Sequence, residues 1–212
     1  MMEDAAPRSG IHRILQGPYG LRAGWRILGF VLLMLGASTI LVTLAVALGA
    51  PRGSSNVSFA VMLSGALLAG WGMLVFVDRR PAGALGFALE PAAPRDSAAG
   101  LAVGAAMLGG AVAVLAVASM ARWVADEGTV PEYVAALASS FAFLAVAAAA
   151  EEALFRGYAF QALVQGIGVW PAVLGSSTLF ALLHANNPNV TPVALANIFL
   201  AGVMLAVAYL KT

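Results

Sequence analysis

ILGFVLLMLGASTILVTLAVALGA, residues 27–50, contains no charged residue and is long enough to cross a hydrocarbon core of about 30 Å as one helix. Its surroundings repeat the theme. Residues 57–77 and 98–121 are uncharged stretches of similar length, and from Tyr133 to Leu210 the apolar character is nearly continuous. Breaks in that last region fall at Gly166–Pro171 (GIGVWP) and Asn186–Pro192 (NNPNVTP), because Gly, Pro and Asn punctuate helices. They divide it into spans near 133–165, 170–186 and 192–210. The expectation is an all-α, polytopic transmembrane helix bundle of about six spans.

Composition excludes the alternatives. Of 212 residues, 61% are hydrophobic and 10% charged, and the mean hydropathy is +0.91. Soluble domains carry roughly 25% charged residues. A water-soluble globule, a disordered chain and a nucleic-acid binder are ruled out as classes, and the formal net charge of +1 supplies no steering field. Cysteine is absent, which removes disulfides, thiolate metal sites and a cysteine nucleophile, and the histidines are two, His12 and His184.

Three regions follow: a polar, basic N-terminal tail (1–26), three N-terminal transmembrane helices with a basic loop at 78–96 (27–132), and a catalytic-type core of three transmembrane helices (133–212). The tail holds Arg8, Arg13, Arg22 and Arg26, and the loop holds Arg79, Arg80 and Arg95. The positive-inside rule predicts that both are cytoplasmic, in a multi-pass protein of the cell membrane.

Between Tyr133 and Leu210 the formally charged residues are Glu151, Glu152 and Arg156. A charge at the centre of a membrane helix costs about 2.5–3.5 kcal/mol on insertion scales, so three within six positions need a reason. Glu152 and Arg156 are four apart and pair on one helix face. Glu151 is turned about 100° away and has no local partner, which makes it a functional-site hypothesis. If the spans around Gly166–Gly168 form an antiparallel hairpin centred on Ile167, Glu151 and His184 both lie roughly 25 Å from the turn and are level with each other. The same reasoning about Asn189 brings Asn197 within about one helical turn of His184 in depth. Glu151, Glu152, Arg156, His184 and Asn197 are therefore expected in one layer, with Phe180 packed beneath His184.

A carboxylate in such a site can act as general base on water, and an imidazole can orient the water, help bind a metal or stabilise developing charge. An amide from Asn197, Asn186 or Asn187 could donate to an oxyanion, though Asn197 reads more simply as an interhelical hydrogen-bonding residue. The combination suits hydrolysis of a peptide bond in the membrane. The competing reading is a non-enzymatic or degenerate membrane protein, whether scaffold, transporter subunit or immunity factor, in which the charges form a structural network. A transporter would show internal pseudo-repeats, and none is visible.

EEALFRG at 151–157 reads as E-E-x-x-x-R, and FALLH at 180–184 as F-x-x-x-H. This pair resembles the CPBP family of intramembrane proteases (CAAX proteases and bacteriocin-processing enzymes, also called the Abi family). DRRPAGALGF at 78–87, the NPNVTP link and the NIFLAGVMLAVAYLKT ending are similar to bacterial members. The resemblance implies an endopeptidase in which Glu151 activates water, His184 assists, and Glu152 and Arg156 fill the other first-motif positions. Members continue into a further helix with a histidine and an asparagine. The sequence reads as truncated before that motif, and a lone copy is expected to be a poor enzyme. A divalent metal such as zinc would have Glu151 and His184 as candidate ligands, short of the three protein ligands that a catalytic zinc site uses. The implied partners are the lipid bilayer, a membrane-associated peptide or protein substrate and a second copy of the chain in a homo-oligomer; no nucleic acid is implied.

Overall fold

The computed structural model describes residues 14–17, 20–87 and 90–211. Most of the expected tail, with Arg8, His12 and Arg13, lies outside the described residues. The helices in chain order are α1 Ala23–Ala47, α2 Ser55–Gly72, α3 Ala93–Val117, α4 Val130–Phe155, α5 Tyr158–Ile167, α6 Val169–Leu183 and α7 Pro192–Lys211. A π-turn, Met73–Val77, extends α2, and a 3-10 turn, Ala82–Leu85, follows it. Five segments are long and apolar enough to cross a membrane: 23–47, 55–77, 93–117, 130–167 and 192–211. The protein is a multi-pass membrane protein built from helices. Its only described strands are a two-residue antiparallel ladder, Gln16–Gly17 against Gly20–Leu21.

Two expectations need correction. The span near 170–186 is real as a helix, but α6 has 15 residues. At 1.5 Å per residue that is about 22 Å, too short to cross the hydrocarbon core alone. The span near 133–165 is not one helix either: it breaks between Phe155 and Tyr158. Gly157 causes the break. Its ψ of −137° leaves the helical region, and a Cβ there would collide with the carbonyl oxygen of Ala153.

The chain divides into two compact units, Phe87–Phe141 and the remainder. In the smaller unit, α3 starts at Ala93 and carries Pro94 and Asp96 in its first turn. The start of α4 is held by a capping box: the Thr129 backbone N–H and hydroxyl both donate to Glu132 Oε2, at 2.7 and 2.8 Å. In the preceding link, hydrogen bonds from Tyr133 and from the Gly128 backbone hold the Asp126 carboxyl below the usual carboxylate range.

The larger unit carries the core. Phe30, Ala66, Ala69, Met73, Leu74, Leu85, Ala153, Tyr158 and Ala162 join α1, α2, the 3-10 turn, α4 and α5. Phe160, Ala172, Val173 and Ala206 join α5, α6 and α7. Lipid tails are as apolar as leucine, so helix association in membranes depends on close packing of small residues. The α6–α7 contact follows that rule: a Cβ on Gly202 would lie 3.0 Å from the Ser177 Cβ. Between α5 and α6, Gly168 makes the reversal at φ +88°, a conformation other residues rarely adopt. Between α6 and α7, Asn189 takes φ +59°, and the Thr191 hydroxyl accepts the Ala194 N–H at 3.1 Å with Pro192 opening the helix.

Candidate active site

The site is built at the broken end of α4. Ala147, Ala150 and Ala153 are buried along one stripe, which brings the backbone of the last two turns close to its neighbours. Glu151 and Glu152 flank that stripe. The backbone stays helical through Arg156, whose N–H donates to the Glu152 carbonyl at 2.8 Å, and leaves the helix at Gly157. Arg156 thus sits on the last turn with its side chain directed inward.

Arg156 is 2% exposed. Its Nη1 donates to Glu152 Oε1 at 3.0 Å, and its Nη2 donates to the Gly202 carbonyl on α7 at 3.2 Å. Its guanidinium carbon lies 4.9 Å from the ring centroid of Phe180 on α6 and 5.9 Å from that of Phe155. One side chain therefore ties three helices, and the missing Cβ of Gly202 lets α7 approach closely enough to offer its carbonyl.

His184 terminates α6. Its Nδ1 is 2.8 Å from the Phe180 carbonyl oxygen, and its ring centroid is 4.6 Å from that of Phe180. A carbonyl oxygen can only accept, so Nδ1 carries the hydrogen and Nε2 presents its lone pair in the neutral ring. Nε2 points at Glu151, 3.9 Å from Oε1. That gap is too long for a direct hydrogen bond. It suits a small hydrogen donor held by both groups. The two carboxylates thus have different surroundings: Glu152 is committed to Arg156, and Glu151 to the histidine face, where its side chain is 32% exposed and that of His184 25%.

Glu151, Glu152, Arg156, His184 and Phe180 are brought together. Asn197 is not. It is exposed on α7, and its side chain makes no hydrogen bond among the described residues. Gly202, whose carbonyl faces the cluster, is five residues further on, so Asn197 points about 140° away from it. Asn186 and Asn187 are also exposed, and the part played by this turn is a backbone one, the Asn187 N–H donating to the His184 carbonyl at 3.0 Å. Among the described residues no three His, Asp or Glu side chains are grouped to hold a metal ion. With Glu152 turned to Arg156, the donor set at Glu151 and His184 does not fit a zinc centre, and a metalloprotease assignment is not supported.

An apolar cavity of about 500 Å³ is lined by Phe30 and Met34 of α1, Phe155 of α4 and Leu179 and Leu183 of α6.

A second polar cluster lies outside the expected site and corrects the reading of its parts. By sequence Arg26 and Asp78 fall in a polar tail and a polar loop, yet their side chains are 3% and 8% exposed and form an ion pair. Arg26 also donates from Nε to the Tyr158 hydroxyl at 3.0 Å and from Nη1 to Gln165 Oε1 at 2.7 Å. Nearby, Gln161 donates to the Ala84 carbonyl at 2.7 Å and to the Tyr209 hydroxyl at 2.8 Å. These bonds fasten α5 immediately after the Gly157 break.

No curated protein and no solved structure gives a significant match to the chain. A protein family does, described as type II CAAX prenyl endopeptidase Rce1-like, over residues 133–212. The matched stretch begins with α4 and contains Glu151, Glu152, Arg156, Phe180 and His184. Residues 133–212 therefore form a domain similar to the Rce1-like type II CAAX prenyl endopeptidases, a family of proteases.

Proposed function

We propose that the protein is an intramembrane endopeptidase acting on a membrane-associated protein or peptide, with Glu151 as general base and His184 as the group that orients the water. The observation that carries this reading is the 3.9 Å separation of Glu151 Oε1 and His184 Nε2, with Nδ1 already engaged by a backbone carbonyl. A water between them donates one hydrogen to each. Glu151 takes a proton as the water oxygen attacks the peptide carbonyl. It returns that proton to the leaving nitrogen as the C–N bond breaks, so the carboxylate is regenerated. Glu152 and Arg156 act by position, holding α4, α6 and α7 in register. The apolar cavity beside Phe155 and Leu183 is suited to the apolar part of a substrate. The arginines flanking α1 and α2 favour a cytoplasmic N-terminus.

The test is cleavage of a membrane-associated reporter by the reconstituted protein. Glu151→Gln keeps the shape of the side chain but cannot accept the water's proton. The expected result is loss of cleavage with an unchanged melting temperature. Cleavage at the normal rate by Glu151→Gln would overturn the assignment.

A further inference from the structure

We propose that the open cluster at Arg22, Arg26 and Arg80 is a binding site for a phosphate oxyanion, presented by the headgroup of an anionic phospholipid. A cavity of about 480 Å³ is lined by Arg26, Asp78, Arg80, Val164 and Gln165. It adjoins a second, of about 380 Å³, to which Arg22, Arg26 and Gln165 contribute. Three guanidinium groups therefore border this space against one carboxylate. Asp78 is spent on Arg26. Arg22 bonds a backbone carbonyl, that of Gln16, at 3.2 Å, and Arg80 a neutral amide, Gln161 Oε1, at 3.3 Å. Among the described residues neither has a carboxylate partner. An arginine carries five N–H donors, so both retain donors for an anion.

The level of the cluster along the spans identifies the source of the phosphate. α1 begins at Ala23, and the segment of α2 with its π-turn ends at Val77, so Arg22, Arg26 and Arg80 all stand at one end of the spans. Two exposed tryptophans mark the same end: Trp25 in the first turn of α1, and Trp170 in the first turn of α6. Tryptophan collects at the membrane–water interface, where lipid phosphates lie. Basic pockets between membrane helices at that level suit anionic headgroups. Arg26, buried and fixed by Tyr158, Gln165 and Asp78, forms the rigid back of the site, while Arg22 and Arg80 are the adaptable arms.

The experiment uses the full chain in nanodiscs of phosphatidylcholine and phosphatidylglycerol in equal amounts, with bound lipid counted by native mass spectrometry. The wild type is expected to retain phosphatidylglycerol preferentially. Arg22→Gln with Arg80→Gln should weaken that retention about thirty-fold, from about 1 kcal/mol per basic residue near the surface. Arg22→Gln alone, at an exposed position, should weaken it about five-fold and keeps the test decisive if the double variant folds poorly. A control losing the same charge elsewhere, Arg52→Gln with Arg122→Gln, should leave retention unchanged. Absence of phosphatidylglycerol enrichment, enrichment unaffected by Arg22→Gln, or equal loss in the control would overturn the site. Inorganic phosphate added to phosphatidylcholine-only nanodiscs separates the sources: stabilisation equal to that by phosphatidylglycerol, and lost in Arg22→Gln, would overturn the lipid as the ligand.

Discussion

Arg156→Ala removes four interactions at once: the ion pair to Glu152, the bond to the Gly202 carbonyl, and the stacking over Phe180 and Phe155. Breaking a buried pair by deleting one partner costs about 3–5 kcal/mol, because the other charge is left uncompensated. Here the survivor is Glu152, whose side chain is 36% exposed. It can reach water or take up a proton, so the electrostatic part must be discounted and the low end of the range applies, about 3 kcal/mol. At roughly 2–4 °C per kcal/mol for a chain of this size, the midpoint should fall by about 6–12 °C. Thermal unfolding in detergent, followed by intrinsic tryptophan fluorescence, reads this directly. A second substitution sharpens the reasoning. Glu152→Gln placed on top of Arg156→Ala removes the stranded charge and should recover about 1 kcal/mol. If Arg156→Ala melts within 2 °C of the wild type, or if adding Glu152→Gln lowers the midpoint further, the view of this arginine as the tie between α4, α6 and α7 is wrong.

His184→Asn should retain the fold and lower the cleavage rate of a reporter by about 10²–10⁴, the usual range for a positioned acid–base group; an unchanged rate in the reconstituted protein would show that the imidazole has no part in the chemistry. The buried Ser177 hydroxyl has no partner among the described residues, so Ser177→Ala should be neutral or stabilising by up to about 1 kcal/mol, whereas Gly202→Val forces a side chain against Ser177 and should cost about 1–3 kcal/mol together with activity. Melting curves of the two variants check the pair, and a destabilised Ser177→Ala would mean that the hydroxyl has a partner. Asp78→Ala leaves Arg26 buried as an unpaired cation and should cost about 3–5 kcal/mol. A midpoint equal to the wild type in detergent would refute burial of that pair.

The α4–α6 part of the site was readable because its residues are close in sequence and its geometry is periodic. The i, i+4 spacing of Glu152 and Arg156 and the glycine turn at 166–168 were enough to place a carboxylate opposite a histidine. The helix break was harder to see. Gly157 is one glycine in an apolar run that contains many, and what ends the helix there is the ψ value it adopts beside Ala153. Depth along the helix does not place Asn197, because angular position is set by the packing of Gly202 on Ser177. Arg26 and Asp78 do not stand out in the sequence, because each is unremarkable beside its own span. Yet consecutive spans run antiparallel, so a residue opening the first and one closing the second lie at the same level, and opposite charges at those places were a usable signal.

The shortness of α6 has a consequence for the membrane itself. Beginning at the interface marked by Trp25 and Trp170, a helix of about 22 Å ends about 8 Å inside a hydrocarbon core of about 30 Å. His184 and the non-helical segment up to Thr191 would then lie among acyl chains, where peptide groups outside a helix find no partners. A span shorter than the core is accommodated by thinning the bilayer, among other means, and thinning on that side would bring headgroups and water towards the level of His184. A helix too short to span would thereby bring water towards His184 and the Glu151 carboxylate that faces it.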